Sequence, residues 1–241
     1  QVQLVFLDRG VEKKLFEFMN MDRIRNFWGI YDLKYMRDKT RTWVAFSNKA
    51  VVGYLVEHDR RILHIRGDAE CVAPLLKNTY LATPIFNIES THLSWVKKFY
   101  RPTEPTDATS RGKVTTYLSM NVSKDSFIPT KLHSVQEMGR ENAEEVSNFL
   151  GREPHRVVDL LKGLAYGLYE KGRLVSFAAA PEILEDLAIL RGVYTAPDLR
   201  GKGYATAVCS ALVGKILKLG MEVILYVSKD NAPAIQIYRK L

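Results

Sequence analysis

The 241-residue sequence is poor in cysteine and has no long apolar run. Its two cysteines, Cys71 and Cys209, are too few for the disulfide framework of a secreted domain, and each stands among apolar residues, where a buried free thiol is ordinary. No stretch approaches the ~20 apolar residues that span a bilayer. The histidines show no spacing typical of a zinc site. We therefore expect a cytoplasmic protein without a metal.

The positive charge of the chain lies mainly in its first half. The net charge is +8 and the pI about 9.4. Residues 1–132 hold 21 Lys and Arg against 14 Asp and Glu, whereas residues 133–241 hold 14 against 13. The cations are spread along the sequence and form no dense stripe with aromatic residues between them. This distribution favours a solvated basic surface over a nucleic-acid interface.

The most informative segment, residues 187–220, reads as a strand, a glycine-containing loop and a helix. The apolar run 188–195 predicts a buried strand, and apolar residues at three- and four-residue steps predict a helix over 204–219. Between them stand Gly201 and Gly203. Two glycines before a helix let backbone N–H groups converge on one point, where the helix dipole favours negative charge. The pattern predicts a phosphate-binding loop.

The spacing of this loop excludes two common phosphate motifs. The P-loop requires a Gly-Lys-Ser/Thr that the chain lacks, and the dinucleotide fingerprint requires a glycine where Thr206 stands. The sequence Arg-x-x-Gly-x-Ala, formed by Arg200, Gly203 and Ala205, instead resembles a motif of the GCN5-related N-acetyltransferase (GNAT) superfamily. The resemblance implies that the loop binds the pyrophosphate of acetyl-coenzyme A.

Residues 222–241 extend the resemblance. The apolar run 223–227 predicts a second strand, and a helix is predicted over 234–241 after an Asn cap. The next family motif carries an Asn near the cap, a small residue on the first turn and a Tyr on the second, matched here by Asn231, Ala234 and Tyr238. Tyr238 also fits a core aromatic, so both interpretations stay open.

The resemblance implies an acetyl-coenzyme A-dependent N-acetyltransferase that moves the acetyl group to a primary amine by direct attack in a ternary complex. Backbone groups of Val193, Tyr194 and Thr195 would hold the pantetheine arm and polarise the carbonyl. Tyr238 would protonate the leaving thiolate. The remaining cofactor contacts implied are Arg200, Gly201, Lys202, Gly203, Tyr204, Ala205, Thr206, Asn231 and Ala234.

The general base has no clear candidate in the sequence. Some family members carry a Glu on the strand before the loop, but the corresponding position here is about Ile189. The nearest carboxylates are Glu182, Glu185 and Asp186; a water chain or a Glu185–Asp186 pair are open alternatives. The resemblance implies a small-molecule or peptide amine as the acceptor.

The second half repeats the predicted element order of the first. A hairpin, then a strand, helix, strand and helix follow in each half, which indicates an internal duplication. The implied fold is α/β, with two tandem GNAT-like domains, each a mixed, mostly antiparallel central sheet flanked by helices. We assign residues 1–125, including a strand at 114–122, to the first domain and 131–241 to the second. The closing strands of the family are missing after Leu241.

The first half lacks the glycine loop. It enters its helix through Gly67, Asp68 and Glu70, with carboxylates where a phosphate would lie, so it should not bind coenzyme A. The main hypothesis is therefore a catalytic second half with a degenerate first half. The alternative is a non-catalytic binding module in which the basic first half holds acidic partners or nucleic acid.

Overall fold

A strand, two helices and an antiparallel meander open each half of the chain, which confirms the predicted fold class. The computed structural model describes residues 2–79, 81, 84–99, 114–130 and 133–241. It divides into two units, Gln1–Val114 and Thr115–Leu241. Among the described residues, no helix combines the length and the apolar content needed to cross a membrane.

The first unit is built on one five-stranded sheet in the order β1-β2-β3-β4-β5, antiparallel except for the parallel pair β4 and β5. It has four helices among the described residues, α1 to α4, and a 3-10 turn follows α3 and another precedes α4. The elements are β1 Val2–Phe6, α1 Arg9–Asn20, α2 Phe27–Tyr35, β2 Thr40–Ser47, β3 Ala50–His58, β4 Ile62–Gly67, α3 Ala69–Val72, β5 Ile85–Asn87 and α4 Leu93–Phe99.

Helices α1 and α2 are separated at residues 21–26. The Asn26 side chain donates to the carbonyls of Met19 and Asp22 at 3.1 and 2.9 Å, which satisfies groups at the end of α1. Gly29 lies within α2, where a Cβ would come 2.7 Å from the hydroxyl oxygen of Tyr54. Glycine is therefore required there for close packing, not for a turn.

The second unit contains two sheets, in the orders β11-β9-β8-β7 and β10-β12-β6. Strand β7 is only two residues long, Gln136–Glu137, and the described residues 133–135 before it are not in a strand. The elements are β6 Tyr117–Val122, β7 Gln136–Glu137, α5 Ala143–Leu150, α6 Pro154–Leu160, β8 Leu164–Glu170, β9 Arg173–Ala180, β10 Leu187–Ile189, β11 Arg191–Thr195, α7 Tyr204–Lys218, β12 Glu222–Ser228 and α8 Ala232–Tyr238.

Strand β6 belongs to the second unit, so its predicted place in the first domain is wrong. It runs antiparallel to β12, from Val122 opposite Val223 to Tyr117 opposite Ser228. Met120 and Val122 pack against the apolar cluster under α7, which gives the strand its reason to pair there. The loop predicted over 101–113 lies outside the described residues.

Helix α7 organises the main core of the second unit. Its buried face meets apolar side chains of β8, β9, β10 and β12, so the helix is fixed against both sheets at once. A second cluster lies under α5 and α6 and includes Val146, Val157, Leu160 and Phe177. Because α7 is held along its length, the position of its first turn is fixed by the core.

Candidate active site

The two sheets of the second unit separate where β10 ends. Strands β10 and β12 are parallel neighbours only from Leu187 opposite Glu222 to Ile189 opposite Ile224. Beyond that point β11 pairs with β9, whereas β12 pairs with β6. The strand predicted over 188–195 is therefore two strands, interrupted at Leu190, whose N–H donates to the carbonyl of Ile224 at 2.8 Å. A split opens between β11 and β12.

Residues 193–195 lie along one side of this split. The register with β9 is irregular between Arg191 and Tyr194, and Gly192 there has a φ of 67°. The Ser176 hydroxyl donates to the carbonyl of Tyr194 at 3.2 Å and lies 2.8 Å from the Thr195 hydroxyl. These contacts fix the strand that, by the family resemblance, is expected to hold the pantetheine arm.

The glycine loop lies at the N-terminus of α7. Gly201 and Gly203 both have a φ of 82°, in the left-handed region that favours glycine. The first helical hydrogen bond runs from the Ala207 N–H to the Gly203 carbonyl at 3.0 Å, so the preceding N–H groups of the first turn have no acceptor within the helix. Gly203 has no side chain to cap them, and a Cβ at Gly201 would meet no atom within 4 Å. The loop therefore offers backbone donors beside open space.

The same loop carries two basic residues, Arg200 and Lys202. The Arg200 Nε donates to the carbonyl of Thr195 at 3.3 Å, and its guanidinium lies 6.0 Å from the ring centre of Tyr194. The Lys202 ammonium lies 5.9 Å from the ring centre of Tyr204. Two cations beside a helix N-terminus make the loop a favourable place for an anion.

His133 is a contact of the loop that sequence reasoning missed. Its Nε2 lies 3.0 Å from the carbonyl oxygen of Lys202, and its ring meets the Tyr204 ring edge-on at 4.8 Å between centres. No local pattern connects position 133 with the loop, because only the folded chain brings them together.

Helix α8 carries the second predicted motif. The Asn231 Oδ1 accepts a hydrogen bond from the Ala234 N–H at 3.2 Å, so Asn231 caps the helix as predicted. Tyr238 ends α8 and packs against the core under α7. It borders a cavity of about 30 Å³ that Leu190, Val223 and Leu225 also line. Burial, with a smaller effect of Cys209, raises the pKa of the Tyr238 phenol, so it is protonated at neutral pH.

Glu182 is a buried carboxylate close to the end of β10. Its exposed fraction is 6%. Its Oε1 lies 3.6 Å from the Lys162 ammonium and its Oε2 3.4 Å from the Arg191 guanidinium, both beyond ordinary hydrogen-bond distance. Burial raises the pKa of Glu182 more than these two cations lower it. Of the other predicted carboxylates, Glu185 is exposed and Asp186 half-buried.

The first unit differs at the corresponding place. Strands β4 and β5 are parallel from Ile62 opposite Ile85 to His64 opposite Asn87, and the guanidinium of Arg66 bridges them just beyond. This buried group donates to the carbonyls of Ile65, Asn87 and Arg25 and to the Asn87 Oδ1.

The helix that follows β4 also differs from α7. The Asp68 carboxylate accepts from the N–H groups of Glu70 and Cys71, both at 3.0 Å. A carboxylate of this chain therefore occupies the first-turn donors of α3. Within the part of the chain that the structure describes, no side chain caps the same donors in α7.

Comparisons with solved structures identify the fold. A Drosophila protein aligns over 98% of this chain and 93% of its own, with a TM-score of 0.65 at 13% identity. A GNAT-family acetyltransferase from Colwellia psychrerythraea aligns over 99% and 94%, with a TM-score of 0.58 at 15% identity. A tandem GNAT protein from the clavulanic acid biosynthesis pathway aligns over 100% and 94%, with a TM-score of 0.57 at 13% identity. The chain has the GNAT fold in its tandem form.

A narrower match falls on the second unit. Residues 165–241 match the family model described as FR47-like protein. This segment includes the split between β11 and β12, the glycine loop and α8. A search of curated proteins finds no match.

Proposed function

We propose that this protein is an acetyl-coenzyme A-dependent N-acetyltransferase that moves the acetyl group to a primary amine by direct attack in a ternary complex. The observation that carries the proposal is the first turn of α7, where left-handed Gly201 and Gly203 leave N–H groups uncapped beside the split in the sheet. An anion-binding turn next to an opening between strands suits a ligand with a diphosphate at one end and a reactive group at the other.

The residues present fit coenzyme A. The N–H groups of 204–206 would receive the pyrophosphate, and Arg200 and Lys202 would add positive charge. The backbone of 193–195 would hold the pantetheine arm, and the start of α8, with Asn231 and Ala234, would complete the wall. Acetyl-coenzyme A supplies an acyl group already activated as a thioester.

Tyr238 is the proposed acid. A thiolate with a pKa of about 8.5 needs a proton as it leaves, and a phenol is protonated at neutral pH. The burial that raises the pKa of Tyr238 keeps the phenol protonated at neutral pH, so a proton is available when the sulfur departs. The ring also contributes to the core, so its two roles must be separated by substitution.

We further propose that only the second domain, predicted at 131–241, is catalytic. In the first domain, Arg66 bridges the strands where a thioester would need to enter, and Asp68 occupies the helix donors where a phosphate would bind. The acceptor is a small-molecule or peptide amine.

A thermal-shift titration tests the proposal. Acetyl-coenzyme A at about 100 times its dissociation constant should add roughly 2.7 kcal/mol to the free energy of unfolding, whereas ATP serves as a phosphate-bearing control. A panel of amines, followed by release of free thiol, then identifies the acceptor. Stabilisation by ATP and acetyl-coenzyme A alike, or by neither, would contradict the proposal.

A further inference from the structure

Glu182 lies one strand away from the point where the sheet splits. After β9 the chain continues to Ile183, which forms an antiparallel bridge with Ala188, and the Glu182 carbonyl accepts from the Ile189 N–H at 3.0 Å. This register places Glu182 opposite Ile189. Ile189 is the last residue of β10 that pairs with β12. Directly opposed residues in an antiparallel pair have Cβ atoms about 4.5–5.5 Å apart, so both side chains reach the same space.

The carboxylate of Glu182 is incompletely satisfied. Its Oε2 is buried and has no hydrogen-bond partner among the described residues. Its two cationic neighbours are partly exposed: 31% of the Lys162 side chain and 45% of the Arg191 side chain are open to solvent. A buried acceptor without a donor costs free energy, which a structure rarely accepts without a use. The site can therefore take one further proton donor.

We propose that Glu182 is the general base that deprotonates the acceptor amine. The inference rests on the proposed function, because the acyl group is taken to lie at the split beside 193–195. The acceptor ammonium takes the place of one of the two cations at the carboxylate. Glu182 supplies, from the opposite strand, the carboxylate that position 189 lacks.

The acceptor nitrogen loses two protons in the proposed reaction. The ammonium gives one proton to the Glu182 carboxylate, and the nitrogen forms a bond to the acyl carbon while the carbon–sulfur bond breaks. The second proton lost by the nitrogen ends on the sulfur, through Tyr238 or solvent. Glu182 then releases its proton to water, and no oxidant or further reactant is needed.

The environment of Glu182 suits this exchange. The groups that face it are Lys162 after α6, Arg191 on β11 and, through a weaker repulsion, Asp159 on α6. Burial is the strongest influence and raises the pKa of Glu182 above its ordinary value, which improves its strength as a base. The alternatives Glu185 and Asp186 lie in the turn between Leu184 and Leu187, at the opposite end of this hairpin from the pair Glu182 and Ile189.

Glu182→Gln tests the proposal because it keeps the shape of the side chain and removes the base. The exposed Glu153→Gln, on the preceding helix cap, is the matched control. With an ammonium acceptor from the amine panel, kcat/KM at neutral pH should fall by about 10²–10⁴ in Glu182→Gln and stay unchanged in the control. The remaining rate should rise with pH as more of the amine loses its proton.

Hydroxylamine separates a base from a structural residue. It is uncharged at neutral pH and needs no deprotonation before attack, so Glu182→Gln should keep the parent rate with this probe. An equal loss with both acceptors would indicate a structural role and overturn the proposal, as would no loss with either. Coenzyme A affinity, measured by calorimetry, should be the same in both variants and the parent.

A spectroscopic measurement covers the case in which no acceptor is found. The infrared carboxyl band that disappears in Glu182→Gln should titrate with a pKa above that of an ordinary glutamate. A band that stays ionised into acid would show that the cations dominate, and it would overturn the proposal. Absence of acetyl-coenzyme A binding by the parent would instead count against the proposed function itself.

Discussion

Placing a carboxylate in the glycine loop should abolish coenzyme A binding and leave the fold intact. Gly203→Glu puts a side chain and a negative charge at the residue before α7, where the first-turn N–H groups are uncapped. A phosphate and a carboxylate cannot share these donors, because the two anions repel at close range.

The cost to folding can be worked from the backbone. Gly203 has a φ of 82°, and an L-residue in the left-handed region costs roughly 1–2 kcal/mol. A negative charge at a helix N-terminus stabilises the fold by about 0.3–1 kcal/mol. The net loss should be near 1 kcal/mol, small against the roughly 5–15 kcal/mol that stabilise a typical protein. The variant should melt slightly below the parent and show no shift with coenzyme A.

Gly220→Glu is the matched control. Gly220 follows the other end of the same helix, has a φ of 86°, and leaves open space around a Cβ. It carries a similar backbone cost but lies far from the proposed cradle along α7. It should lose stability and still gain the full thermal shift with coenzyme A. If Gly203→Glu binds as tightly as the parent, or if both variants lose binding equally, the loop has been misinterpreted.

Three other outcomes are expected. If the Tyr238 hydroxyl is the acid, Tyr238→Phe should lower turnover by about 10²–10⁴ with little change in melting temperature. An unchanged rate in Tyr238→Phe, with a loss of roughly 3–5 kcal/mol in the free energy of unfolding of Tyr238→Ala, would assign Tyr238 to the core alone. Calorimetric titration of coenzyme A should give one site per chain, and two equivalent sites would contradict the assignment of the first domain. Burial lowers the pKa of His92, so its contribution to the free energy of unfolding is complete above about pH 6.5 and declines as pH falls. In urea unfolding, the free energy of unfolding of His92→Gln should therefore fall less steeply with acid than that of the parent. An equally steep fall would exclude this histidine as a cause.

Local patterns predicted the elements around the candidate site. Helix α7 spans Tyr204–Lys218, against a prediction of 204–219, because its apolar residues repeat clearly and glycines flank it. The loop glycines have the left-handed backbone that their residue type allows. Asn231 caps α8, as its position before Pro233 suggests.

Contacts between distant residues were not predictable in this way. The bridging role of Arg66 depends on Asn87 and Arg25, and the burial of Glu182 depends on Lys162 and Arg191. In the sequence Arg66 and Glu182 look like ordinary charged residues, because the local periodicity does not show which charged side chains the fold will bury. Local patterns also do not show which strand pairs with an edge strand. This explains why the sequence analysis placed β6 in the wrong half.

The pairing of β6 with β12 has a consequence for synthesis. The ribosome makes Tyr117–Val122 well before its partner Glu222–Ser228. Until then Tyr117 and Leu118, which are exposed even in the folded protein, belong to a strand with no neighbour. Contacts of such long sequence separation form slowly and leave unpaired edges open to association. The first unit can finish folding before β12 is made, whereas the second must wait for β12 and needs protection meanwhile.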